Sequence, residues 1–219
     1  MKPIVHLFHL SVAPADVHDF HEAGVYNLMT SQRQETGTLA MYASRFKDFS
    51  TEFIVFEVYA DEVSYQTHRA SPQFQYYVDK VGGKLLRKDS FEVEAVFLEE
   101  KLSTGEWLGK EEFCLKFAKV ETTKEGIVGF TKSVLENMKT SLAVEDGVLA
   151  MYAMREVKKP TCWYFYEIYA SEEAYQRHRQ TPHFQTYLIE TEELLVEKQL
   201  HDLLNDIAVT KGKNKFLER

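Results

Sequence analysis

Gly37-Thr-Leu-Ala-Met-Tyr-Ala-Ser-Arg45 returns later in the chain as Gly147-Val-Leu-Ala-Met-Tyr-Ala-Met-Arg155. Tyr65-Gln-Thr-His-Arg-Ala-Ser-Pro-Gln-Phe-Gln75 returns as Tyr175-Gln-Arg-His-Arg-Gln-Thr-Pro-His-Phe-Gln185. From residue 37 to 77 the offset stays at 110 without a gap, and about 20 of 41 positions are identical. The same offset matches Phe20 with Phe130, Asn27 with Asn137, Thr30 with Thr140 and Ser31 with Ser141. Two copies suit a pseudo-symmetric pair, since a solenoid needs at least three. The copies are read as residues 1–100 and 112–219, with 101–111 as a linker.

Each copy reads as strand, helix, strand, strand, helix, strand. In the first, Ile4 to Val12 has high β-propensity. Val17, Phe20, Gly24 and Leu28 recur at helical spacing, and Gly37 marks the end of that helix. Leu39 to Arg45 and Phe53 to Tyr59 form the next strands. Asp61 is placed to cap a short helix running through His68, which Pro72 ends. Phe91, Val93, Ala95 and Phe97 alternate with charged residues and predict one last strand; its second-copy counterpart falls within Lys198 to Val209. Gly82-Gly83 and the linker are expected to be flexible.

This order describes an α+β class protein built of two ferredoxin-like βαββαβ repeats. Phe53-Ile-Val-Phe56 and Cys162-Trp-Tyr-Phe-Tyr166 are apolar at every position, so neither face of these strands is expected to meet water. The two antiparallel sheets are therefore expected to pack into one intramolecular barrel, a pseudo-dimer within one chain. Exposed strand edges leave room for a further homodimer.

The 219 residues are 44% hydrophobic and 27% charged, an ordinary globular composition. The formal net charge of −8 offers no basic footprint for nucleic acid. No apolar run is long enough to cross a bilayer. The apolar start from Ile4 to Val12 is interrupted by His6 and His9, unlike an export signal. Cys114 and Cys162 stand alone and read as buried thiols in a reducing, cytoplasmic setting. They lack metal-ligand spacing to a histidine pair, so no metal site is expected, and separately no Gly-rich phosphate loop or nucleophile elbow is present.

The block Glu-x-Tyr-Ala…Tyr-Gln-x-His-Arg-x-[Ser/Thr]-Pro-x-Phe occurs in both copies. With Phe165-Tyr-Glu-Ile-Tyr-Ala and His178-Arg-Gln-Thr-Pro-His-Phe184 it resembles the antibiotic biosynthesis monooxygenase superfamily of dimeric α/β barrels. Quinol monooxygenases and the phospho-autoinducer-2 processing isomerase are members. The resemblance implies a small pocket in each copy, between sheet and helices. It implies a cofactor-independent oxygenase: a small electron-rich phenol, quinol or anthrone is deprotonated and its anion reduces O2. An isomerase of a small (phospho)ketone needs the same parts, and a non-catalytic small-ligand-binding protein would keep the same fold.

His178 and His68 are the candidate general bases, or else structural side chains tying a helix end to a backbone carbonyl. His183 fills the family's Thr-Pro-His position, where copy one has Gln73; this points to copy two as the working half, unless His183 is a surface residue. Asn137 and Asn27 are candidate donors to a substrate oxygen, while Thr30 and Ser31 read as a solvated helix face. Tyr152 and Tyr42 could reach the cavity or simply fill the core. Arg179 and Arg69 would anchor a phosphorylated substrate. Glu57 and Glu167 sit in apolar strands and are read as partners of Arg45 and Arg155.

Overall fold

A computed structural model describes residues 2–109 and 113–218, so part of the expected linker lies outside the described residues. The chain divides into two compact units, and their borders do not follow the repeats. Unit 1 comprises residues 1–93, 102–111 and 203–213; unit 2 comprises 94–101, 112–202 and 214–219.

In unit 1, β1 (Ile4–Val12) leads to α1 (Val17–Gln34), β2 (Thr38–Phe46), β3 (Glu52–Tyr59), α2 (Glu62–Arg69), α3 (Pro72–Val81) and β4 (Leu85–Phe91). The polar signals at the helix starts act as read. The Asp61 carboxylate accepts from the Ser64 backbone N–H at 2.8 Å, and Ser71 accepts from Phe74 ahead of α3. Pro72 takes the first turn of α3, where its missing N–H costs nothing. Gly82 and Gly83, expected to be flexible, form a single 3-10 turn.

The predicted last strand of copy one is two strands. β4 ends at Phe91 and stays in unit 1, whereas β5 (Val93–Glu100) belongs to unit 2. Unit 2 continues with β7 (Cys114–Thr122), α4 (Ile127–Val144), β8 (Val148–Glu156), β9 (Cys162–Tyr169), α5 (Glu172–His178) and α6 (Pro182–Thr191). The linker contributes β6 (Gly105–Leu108) to unit 1. β10 (Leu195–Thr210) runs unbroken, its first half in unit 2 and its second in unit 1, and β11 (Lys215–Leu217) follows.

Each repeat thus gives its final strand away. Unit 1 has the order β10-β2-β3-β1-β4, with β6 also on β10; unit 2 has β11-β5-β8-β9-β7-β10. β1 pairs antiparallel with β3 and β7 with β9, placing Leu10 opposite Phe53 and Val120 opposite Trp163. Both units keep the ferredoxin-like layout of helices on a sheet. The strand path is open at β4 and β11, so hydrogen bonds do not close the expected barrel. Edge strand β4 carries Arg87, Lys88 and Asp89, charges that discourage further pairing.

β3 and β9 are buried on both faces, as their unbroken apolar runs require: Phe53, Ile54, Phe56 and Tyr59 are fully inaccessible, as are Trp163, Tyr166 and Tyr169. In unit 1 the helix-facing core joins Phe20, Leu28, Phe53 and Val55 with Ile207 and Val209 of β10. In unit 2 Phe130, Met138, Trp163 and Phe165 pack with Val96 and Phe97 of β5. No described helix is long and apolar enough to cross a membrane.

Gly37 and Gly147 sit where the strand start meets the short helix. A Cβ on Gly37 would lie 2.4 Å from Ser64 Cβ, and one on Gly147 would lie 2.6 Å from Ala174 Cβ. We expect Gly37→Ala to destabilise unit 1 by about 1–3 kcal/mol through this overlap. Urea unfolding measures it, and an unchanged midpoint would show that α2 shifts freely.

Candidate functional site

Unit 1 encloses a cavity of about 340 Å³ between its sheet and helices. Its floor follows from strand alternation. Phe8 and Leu10 of β1, Ala43 of β2, and Val55 and Glu57 of β3 all point to the helix side. The same alternation turns Tyr42 away: it stacks on Phe56, with centroids 6.1 Å apart, and lines neither cavity. Tyr152 likewise faces the other way in unit 2, donating its hydroxyl to the Glu100 carboxylate.

The roof comes from α1, α2 and α3. Gly24 and Asn27 lie one turn apart on α1, and His68 and Arg69 end α2. Asn27 is 3% exposed and its Oδ1 has no protein partner. His68 is fully buried. Its Nδ1 lies 3.2 Å from Glu35 Oε2 and 3.2 Å from Ser31 Oγ. An ionised carboxylate only accepts, so Nδ1 carries a proton, and in the neutral imidazole Nε2 is then the nitrogen with the lone pair. That Nε2 has no protein partner. Ser31, expected on a solvated face, is completely buried in this cluster.

Glu35 was not foreseen. It follows α1 directly, accepting from Thr38 Oγ1 at 2.5 Å and from Gln73 Nε2 at 2.6 Å. Burial pushes its carboxyl up, but the hydrogen bonds from His68 and Thr38 outweigh this and hold it below its ordinary value. Its signal was available, because Glu35 and Glu145 are identical at the repeat offset.

Glu57 and Asp206 add two cavity carboxyls, both pushed up by burial. Glu57 accepts from the Tyr59 hydroxyl at 2.9 Å. The expected pairing with Arg45 does not form: Glu57 stands opposite Met41 and Arg45 opposite Phe53, four residues or about 13 Å along the strand. Arg45 instead lies 3.7 Å from Asp206, which is the extra residue of a bulge in β10. In unit 2, Glu167 accepts from Tyr169 at 2.7 Å, while Arg155 pairs with Glu94 and Glu218.

Unit 2 holds the equivalent cavity, reduced to about 230 Å³. Val134 replaces Gly24 and Phe165 replaces Val55, and their added side-chain volume partly fills it, while Met138 replaces Leu28 at nearly equal volume. Asn137, Arg179 and Glu167 line it, and Asn137 Oδ1 also has no protein partner. His178 is not among the lining residues; its Nδ1 lies 2.9 Å from Glu145. His183 is not there either. Its Nε2 lies 2.7 Å from the same Glu145 oxygen, where Gln73 serves in copy one. The structure thus gathers His68, Asn27 and Arg69 around one cavity, Asn137 and Arg179 around the other, and His178 with His183 on a shared carboxylate.

A family model described as antibiotic biosynthesis monooxygenase matches residues 3–80 and 116–188. Two solved structures, each titled a "putative monooxygenase", superpose over the whole chain. That from Lactobacillus acidophilus NCFM has a TM-score of 0.91 at 24% identity, covering 99% of this chain and 100% of its own. That from Fusobacterium nucleatum has a TM-score of 0.91 at 16% identity, covering 100% and 99%. An anthrone oxidase-like protein has a TM-score of 0.61 at 13% identity, covering 100% and 97%. At these identities the likeness is one of fold. No curated protein matches the chain.

The raised Glu57 carboxyl fixes a sign. A carboxyl whose folded pKa is raised supports the fold below its unfolded pKa and loses that support as pH rises through the folded value. Glu57→Gln escapes that loss. Its melting temperature relative to wild type is therefore expected to rise between pH 5 and pH 8. A difference that stays constant with pH would show that Glu57 ionises without cost.

Proposed function

The chain belongs to the antibiotic biosynthesis monooxygenase family, and on that premise we propose that the unit 1 cavity is the active site of a cofactor-independent oxygenase. Its substrate is a small electron-rich aromatic of the quinol or anthrone kind, handled in the cytoplasm, where the two free cysteines stay reduced. The observation that carries this reading is the buried His68 Nε2, a ring nitrogen with no protein partner on a mainly apolar cavity.

Glu35 fixes the imidazole tautomer and balances the imidazolium that forms when Nε2 takes a proton. The substrate anion then transfers an electron to O2, the two radicals combine at carbon, and the peroxide anion takes back the proton held on His68 Nε2. Loss of water from the resulting hydroperoxide leaves a carbonyl, so a CH2 group and O2 become C=O and H2O. Asn27 Oδ1 is placed to accept from a substrate hydroxyl. Glu57, biased toward its neutral form, is placed to donate to the developing oxyanion. The volume of about 340 Å³ suits a small ring system.

This choice departs from the expectation that His183 marks copy two as the working half. His183 donates to Glu145 outside the unit 2 cavity, and that cavity is partly filled by Val134 and Phe165. A second reading rests on Arg69 and Lys88, which also line the unit 1 cavity and would hold a phosphorylated ketone for isomerisation.

Oxygen uptake by metal-stripped protein with a panel of quinols and anthrones tests the proposal. His68→Ala is expected to lower the rate by about 10²–10⁴. Val55→Phe, which copies unit 2, is expected to abolish uptake by filling the cavity. Uptake that survives both and disappears in His178→Ala would place the reaction in unit 2. Turnover of a phosphoketone without oxygen would favour the isomerase, and ligand-induced stabilisation without turnover a binding protein.

A further inference from the structure

Glu145, His178 and His183 come from three helix ends of unit 2: the residue after α4, the last residue of α5 and the first turn of α6. One ligand atom from each lies within 4.8 Å of the others, the one such group of three among the described residues. Both imidazoles approach the same Oε1, at 2.9 Å and 2.7 Å. Tetrahedral zinc with Zn–N bonds of about 2.0–2.1 Å places its ligand atoms about 3.3 Å apart. The two oxygen–nitrogen separations therefore need to widen by about 0.4–0.6 Å, and the two nitrogens, within 4.8 Å of each other, to settle at a like spacing, for an ion to enter, each imidazole moving its proton to its other nitrogen.

The cluster is reachable. Glu145 and His183 keep 12% and 16% of their side-chain surface. A surface depression of about 330 Å³ is lined by Glu145, Asp146, Arg177 and Thr181. It gives water access to the Glu145 side of the cluster, and its lining carries one carboxylate, Asp146, and one guanidinium, Arg177. Copy one supplies the contrast. Glu35 and His68 repeat the first two ligands, but Gln73 turns its Nε2 donor to the carboxylate in place of the second imidazole.

We propose that Glu145, His178 and His183 form a site for one divalent transition metal, with zinc the best fit, that clasps α4, α5 and α6 together. Two nitrogen donors and one carboxylate suit zinc and its neighbours and disfavour calcium and magnesium. The site is distinct from the unit 1 cavity and is independent of the reaction assigned to it.

The test is equilibrium dialysis of the metal-stripped full chain against zinc chloride, with thermal melting alongside. Wild type is expected to hold one zinc per chain and to melt about 5 °C or more higher at saturating zinc. H183Q installs the residue that copy one already carries in this setting, so the fold is expected to persist while zinc and the melting shift are lost. Q73H is expected to gain a second zinc, on Glu35, His68 and the new imidazole. No zinc on wild type, or the same stoichiometry in wild type and H183Q, would overturn the proposal. A folded Q73H with no second zinc would show that these three ligands do not suffice.

Discussion

The inner edge of β2 is a row of buried backbone donors and acceptors, and unit 1 depends on Leu203–Thr210 pairing with it. A buried backbone group without a partner costs about as much as a lost hydrogen bond, so this edge cannot stay open. The strand that closes it also brings Ile207 and Val209 to the core and Asp206 to the cavity. The bulge at Asp206 is the local consequence. One extra residue in β10 lets a charged side chain face the cavity between the Asn205–Ser44 and Ile207–Ala43 pairs.

The two copies show how little change separates an open cavity from a filled one. Both keep the helix-end glutamate, the buried imidazole on its carboxylate and the asparagine on the first long helix. The exchange of Gly24 for Val134 and Val55 for Phe165 removes volume from both sides of the pocket. Close packing makes such exchanges decisive, because a cavity in a well-packed interior survives only where no side chain reaches into it. The imidazole–carboxylate pair meanwhile persists in both copies, and burial keeps each glutamate dependent on its hydrogen bonds.

The fold was legible where physics leaves one choice. Repetition showed the two ferredoxin-like layouts, and unbroken apolar runs in β3 and β9 announced burial on both faces. The strand exchange was not legible. β2 and β8 share Leu-Ala-Met-Tyr-Ala, so propensity and pattern cannot say which of them β5 will join. The site was half legible. His68, Asn27 and Arg69 were identified by type and spacing, and all line one cavity. Tyr42 and Tyr152 were read as reaching the cavity or filling the core, and strand alternation, which composition cannot orient, settles them in the core. Glu35 and Glu145 passed unnoticed because a glutamate after a helix ordinarily meets solvent. Only the fold brings His68 and His178 back over them.

The division of unit 1 between residues 1–93 and 203–213 also has a cost in time. On a ribosome adding about 5–20 residues per second, β2 waits roughly 8–30 s for the strand that covers its edge. Through that interval the emerging half-sheet offers Ala40, Met41, Tyr42 and Ala43 to any extended segment nearby, including a second nascent chain. Because β8 carries nearly the same sequence as β2, β5, which emerges before β8, meets in β2 an edge that closely resembles the one it finally joins. Faithful assembly therefore depends on the order in which strands emerge as well as on their final stability.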